Sequence, residues 1–161
     1  MLPIRKSTRL KNYDYSTPGA YFVTICTKDR KCILGKIVGD DAHIVPKNEL
    51  SATGIICDKY INNINNVYES ISVDKYVIMP NHIHLIISIG GTMKASSPTT
   101  DLSDIISSFK SLVTKEAGFS VWQRSFHDHI IRNREDYKQI WQYIDTNILK
   151  WELDCFYNEE R

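Results

Sequence analysis

The sequence is marked first by what it lacks. No apolar run in its 161 residues is long enough to cross a bilayer. The opening Met1-Leu-Pro-Ile-Arg-Lys-Ser7 carries no apolar stretch of the kind a secretory signal needs, so the cytoplasm is the expected compartment. The four cysteines, Cys26, Cys32, Cys57 and Cys155, form no CxxC pair, which argues against both a zinc knuckle and a disulfide framework and leaves reduced thiols. Charge of one sign is also missing: 20 Lys and Arg against 19 Asp and Glu leave a formal net charge of +1, so bulk charge makes no case for a nucleic-acid partner. No internal repeat or linker divides the chain, and 42% hydrophobic residues suffice for one core, so a single domain over 1–161 is expected.

Local basic clusters are present despite the balanced total. Arg5, Lys6, Arg9 and Lys11 crowd the N-terminus, and Lys28, Arg30 and Lys31 follow the first apolar run. Such clusters contact phosphates in nucleic-acid-binding proteins and form solvated faces elsewhere.

Periodicity supplies the elements. Tyr21–Thr27 is rich in β-branched and aromatic residues and follows Pro18-Gly19, which predicts a strand. A hairpin is expected from Cys32–Gly35 to Ala42–Val45, turning at Gly39-Asp40-Asp41. Ser51–Ile64 reads as a helix with Ala52, Ile56, Tyr60 and Ile64 on one face. Ile71–Met79 and His82–Ile89 are strands separated by Pro80-Asn81, and Thr92–Thr100 is a polar loop. A second helix starts near Asp101 and stops at Gly118, presenting Leu102, Ile105, Ile106, Phe109, Leu112 and Val113. After the extended segment 121–131, Asn133 is a good N-cap for a third helix, in which Tyr137, Trp141, Ile144 and Ile148 form one stripe expected to be buried. This order predicts an α+β domain, a ferredoxin-like antiparallel sheet with helices packed on it.

Two groups of residues suggest chemistry. In a strand, His82 and His84 point to the same side, about 6–7 Å apart along the chain, while Ile83, Leu85 and Ile87 point the other way. Two imidazoles on one face of an apolar strand are either a pair of metal ligands or buried rings hydrogen-bonded to their neighbours. At ~100° per residue, Tyr143 and Asn147 lie together on the third helix, roughly 90–130° from the centre of its apolar stripe. They could place a nucleophile and a metal-ligating carbonyl oxygen together, or be a boundary tyrosine and a helix-end asparagine. A second HxH, His127-Asp128-His129, lies between Arg124 and Arg132 and reads as supporting or structural.

Three motifs in order then become recognisable: Met79-Pro-Asn-His-Ile-His-Leu-Ile-Ile87, Trp122-Gln-Arg-Ser-Phe-His-Asp-His-Ile-Ile-Arg132, and Asp136-Tyr-x3-Trp-x-Tyr-Ile-x2-Asn147. With the N-terminal stretch Arg9-Leu-Lys-x-Tyr-Asp-Tyr-Ser-x2-Gly-Ala-Tyr-Phe-Val-Thr-Ile-Cys-Thr27, they cover nearly the whole chain. The set resembles the single-tyrosine HUH transposases, in the branch of transposase-like proteins associated with repetitive extragenic palindromes. The resemblance implies a ferredoxin-like fold, with a C-terminal helix carrying the tyrosine, that binds single-stranded or hairpin DNA. It implies Tyr143 as nucleophile and His82, His84 and Asn147 as ligands of Mg²⁺ or Mn²⁺. It implies strand cleavage through a 5′-phosphotyrosine followed by strand transfer. Arg5, Lys6, Arg9, Lys11, Arg124 and Arg132 are the expected DNA contacts, and the protein is expected to be a monomer or homodimer. Ile148 departs from the family pattern, which commonly has proline after the asparagine, and this bears on where the helix ends. Two other functions fit parts of the pattern: a non-catalytic single-stranded nucleic-acid-binding module, and a replication-initiator or relaxase-type nickase.

Overall fold

A computed structural model describes residues 19–39, 46–90 and 101–151. Strands β1 (Gly19–Cys26), β2 (Gly35–Val38), β3 (Lys47–Leu50), β4 (Ile71–Met79), β5 (His82–Ile89) and β6 (His127–Ile131) alternate with helices α1 (Ala52–Val67), α2 (Leu102–Ala117) and α3 (Arg134–Asp145). β4 and β5 form a tight hairpin closed at Pro80-Asn81, where proline removes a ladder donor and the chain reverses. β1 pairs antiparallel with the other side of β5, and β6 pairs with β1, giving the order β4-β5-β1-β6. With α1 and α2 between the strands, this is the ferredoxin-like α+β arrangement expected from the pattern.

Alternation along β5 decides which side is core. Ile83, Leu85 and Ile87, with Tyr21, Val23 and Ile25 of β1, are at most 1% exposed and meet Cys57, Ile61 and Ile64 of α1 and Ile105, Ile106, Phe109 and Val113 of α2. Each such side chain contributes roughly 1.5–3 kcal/mol by leaving water. The buried face of α1 is thus centred on Gly54, Cys57, Ile61 and Ile64, rotated from the expected Ala52–Ile56–Tyr60–Ile64 row; Ala52 is exposed, and Ile56 and Tyr60 are half-buried. Gly54 explains the rotation. A Cβ there would lie 2.0 Å from the carbonyl oxygen of Leu34, so glycine alone lets the helix sit this close to the chain before β2.

The same contact displaces the hairpin expected at 32–45. Leu34 is fully buried, its N–H donates to Pro80 O at 3.0 Å and its carbonyl accepts from Ser51 N at 2.9 Å. With both backbone groups committed there, pairing starts later, as Gly35–Val38 against Lys47–Leu50. The expected turn at Gly39-Asp40-Asp41 and the strand at 42–45 fall largely on residues outside those described, as does the polar loop Thr92–Thr100.

Helix starts follow their caps. Ser51, Asp101 and Asn133 accept from the backbone N–H three residues on, those of Gly54, Asp104 and Asp136, and Gly118 ends α2 in the left-handed region at φ 83°. Leu112 of α2, expected on the buried face, is 40% exposed. α3 lies on the opposite face of the sheet from α1 and α2, where Tyr137 and Tyr143 meet residues of β4 and β5. Its stripe is not buried as expected: only Ile144 is, while Trp141 is 38% exposed and Tyr137 and Ile148 are half-buried. Among the described residues no second layer lies above α3, so burial stops at its inner edge. No helix among the described residues is long and apolar enough to cross a membrane.

Candidate active site

The pleat that sends Ile83 and Leu85 into the core turns His82 and His84 to the α3 side. His82 sits between Cys26 of β1 and Met79 of β4, and His84 between Thr24 and Val77. A strand paired on both sides holds the two rings on a rigid base. They are 0% and 2% exposed, and their centroids lie 4.5 Å apart with planes 70° to one another.

Each ring is oriented through Nδ1. That of His82 bonds Asn81 Oδ1 at 2.8 Å, and that of His84 bonds Thr24 Oγ1 at 2.8 Å. Phe22, two residues before Thr24 on the same face of β1, stacks on His84 with centroids 5.2 Å apart. Nε2 of both rings and Oδ1 of Asn147 are sealed from solvent.

α3 completes the site from above. Its first half is anchored at a β-bulge between Val73 and Lys75, where the extra residue, Asp74, accepts from Tyr137 Oη at 2.8 Å. Lys75 Nζ lies 4.8 Å over the Trp141 ring and pairs with Asp145 at 2.8 Å. Burial, and then the hydrogen bond to Asp74, push the Tyr137 phenol up to about 12, so it remains a donor. On the inner edge of the next turn, Tyr143 brings its ring edge-on to His84 at 5.3 Å and to Phe22 at 6.1 Å, while remaining 41% exposed.

The helix stops before Asn147. Thr146 caps it, its N–H and Oγ1 both donating to Gln142 O, and Asn147 N donates to Ile144 O in the turn that follows. Asn147 is 2% exposed, and Trp151 beyond it stacks on His82 at 6.0 Å. Asn147 is therefore carried on a turn and not on α3 itself, and Ile148 occupies that turn without proline.

The structure thus brings Tyr143 onto the His82–His84 pair and buries Asn147 just past the end of the same helix. Arg124 and Arg132 stand exposed before and after β6, the edge strand two strands from β5. Arg5, Lys6, Arg9 and Lys11 lie outside the described residues. In the second HxH, His129 Nε2 bonds Asp136 Oδ2 at 2.7 Å, joining β6 to the first turn of α3, and His127 lies opposite Thr24. Trp122 is buried against Phe109 in the core.

Asn81, Thr24, Phe22, Asp74 and Trp151 were not singled out from the sequence. Asn81 was visible as the neighbour of His82. Thr24 and Phe22 become visible only once the β1–β5 register is known, because 60 residues separate Thr24 from His84.

Among the described residues no group of three His, Cys, Asp or Glu side chains forms a metal site. A centre here would use two imidazoles and an amide oxygen. That donor set fits a divalent ion such as Mn²⁺ or Mg²⁺: imidazole nitrogen and carbonyl oxygen are both accepted ligands, and hydrogen-bonded Nδ1 atoms are the usual support of metal-binding histidines.

Comparison with known proteins places this geometry. No family model matches the chain. It is 34% identical to an uncharacterized protein of Haemophilus influenzae strain Rd over an alignment of 173 positions, which covers 95% of this chain and 93% of that one. A REP-associated tyrosine transposase, solved bound to a REP hairpin, superposes with a TM-score of 0.65 at 21% identity, over 89% of this chain and 74% of that one. At that identity the likeness establishes the fold, which is the one implied by the sequence resemblance. The chain belongs to one family with the Haemophilus influenzae protein, and its fold is that of the REP-associated tyrosine transposase.

Proposed function

We propose that this protein is a metal-dependent single-stranded DNA endonuclease and strand transferase that acts on hairpin DNA through Tyr143. One observation carries the reading: the Tyr143 ring lies against His84, 5.3 Å centroid to centroid, and His84 is paired with His82 on a rigid strand. Its ring is 41% exposed beside the two imidazoles, which leaves it open to a substrate. The fold shared with a hairpin-bound transposase supports the same conclusion.

His82, His84 and Asn147 would hold the divalent ion, which when bound supplies Lewis-acid polarisation of a nonbridging phosphate oxygen. Tyr143 Oη attacks phosphorus as its proton leaves, and the bond from phosphorus to the 3′ oxygen breaks. That oxygen takes up a proton, leaving a free 3′-hydroxyl and a 5′-phosphotyrosine. Attack by a second 3′-hydroxyl on the same phosphorus returns the phenol and joins the strands, so no nucleotide cofactor is consumed. Phe22 and Trp151 flank the rings and exclude water from their faces.

The test uses labelled hairpin DNA with and without Mn²⁺, read on a denaturing gel. The expected result is a covalent protein–DNA adduct that needs Mn²⁺, maps to the peptide containing Tyr143 and disappears in Tyr143→Phe. An adduct on another tyrosine, or full yield from Tyr143→Phe, would move the nucleophile elsewhere.

A further inference from the structure

Asn81 lies between the two histidines' strand and the basic turn after β1, and its side-chain amide is engaged at both ends. Its side chain is 0% exposed. Nδ2 donates to the carbonyl of Arg30 at 3.3 Å, and Oδ1 faces His82 Nδ1 at 2.8 Å. A backbone carbonyl can only accept, so the amide group facing Arg30 must be the NH₂ and the group facing His82 must be the oxygen. The oxygen too can only accept, and therefore His82 Nδ1 must carry the proton. The lone pair of the neutral ring is then on Nε2, which is the form a metal ligand requires.

The surroundings hold this arrangement in place. Asn81 O accepts from both Thr27 N at 3.0 Å and Thr27 Oγ1 at 3.1 Å, tying the β4–β5 turn to the end of β1. The Arg30 carbonyl is aimed by an unusual turn: Asp29 and Arg30 have φ of 56° and 54°, the left-handed region. Non-glycine residues adopt that region under strain, and such strain is found where geometry serves a site. His84 differs. Its partner, the Thr24 hydroxyl, can donate or accept, so either tautomer of His84 is accommodated.

We propose that Asn81 is a positioning residue that presets the tautomer of His82, so that one of the two imidazoles is ready to ligate before any ion arrives. This rests on the reading of His82 as a metal ligand, but it can be decided apart from it.

Long-range ¹H–¹⁵N correlation spectra of the metal-free protein report which ring nitrogen carries the proton. Mn²⁺ titration then reports affinity. Wild type should show the Nδ1–H form of His82. Asn81→Ala should shift it toward Nε2–H and weaken Mn²⁺ binding by about 10- to 100-fold, as loss of a ligand's hydrogen-bond partner does elsewhere. Asn81→Asp keeps the acceptor while losing the donor to Arg30, so it should retain the Nδ1–H form and most of the affinity. It also decides the matter should the alanine variant fail to fold. An unchanged tautomer in Asn81→Ala, or loss of the Nδ1–H form in Asn81→Asp, overturns the proposal. Absence of Mn²⁺ binding in wild type would instead overturn the metal reading, and the metal-free spectra would still decide the role of Asn81.

Discussion

The two faces of the central sheet are held to their helices by different physics. On one, Ile83, Leu85 and Ile87 meet α1 and α2 mainly through apolar contacts, to which Tyr76 and Val73 of β4 add hydrogen bonds to Asp58 and Asn65 of α1. On the other, α3 is held by the Tyr137–Asp74 hydrogen bond, Lys75 against Trp141 and Asp145, and one buried aliphatic residue, Ile144. Hydrophobic burial is strong and non-directional; hydrogen bonds and ion pairs contribute less but fix orientation. The first face therefore supplies stability, and the second sets the angle at which Tyr143 approaches His84.

Adjacent residues on β5 separate these roles most sharply. His84→Ala should abolish adduct formation while the protein remains folded, as judged by circular dichroism. Leu85→Ala, one residue away on the opposite face, should lose about 2–5 kcal/mol in urea unfolding while keeping its adduct yield per folded molecule. If the two variants fail in the same way, the faces are not functionally distinct.

A smaller effect is expected at the helix anchor. Tyr137→Phe removes one hydrogen bond to Asp74 and should cost about 1 kcal/mol, with the adduct retained within a few-fold. The cost should depend on pH. The Tyr137 phenol is raised from 10.0 to about 12 in the folded protein, so its contribution is complete below pH 10 and is lost as pH rises through about 12. Melting curves of wild type and variant should therefore converge over that interval; a constant gap would mean that Asp74 is not the partner that matters.

The smallest effect belongs to Lys75→Gln. Asp145 is 62% exposed, so breaking this pair should cost less than about 1 kcal/mol, and the difference should shrink in high salt. A larger loss would show that the ring contact with Trp141 does more than the ion pair.

Local signals in the sequence were enough for some parts of this molecule and not for others. The period-2 pattern of β5 and the cap at Asn133 depend on residues within one turn or one pleat, and they located the His82–His84 face and the start of α3. Thr24 could not be joined to His84 in this way, because strand register is a property of two distant segments. The position of β2 was missed for a similar reason: the close approach of Gly54 to Leu34 is a tertiary contact that leaves no local signal around residue 35. The α3 stripe was placed correctly on the helix but assigned too much burial, since periodicity shows which side faces inward and not how deep the neighbouring layer is.

The bulge in β4 makes the strand's length separable from its meaning. Val73 pairs with Ile87 and Lys75 with Ile86, so Asp74 is a surplus residue in the ladder. Removing it would restore regular alternation, with Val73 still on the core side and Lys75 still on the side of α3. The strand order would survive the deletion, but Ser72 and Ser88 would lose the carboxylate they donate to, and α3 would lose the one that receives Tyr137. Parity of residue number in β4 is therefore a coordinate of the site and not of the fold, and two chains of this family that differ by one residue there could share every strand and still hold their tyrosines differently.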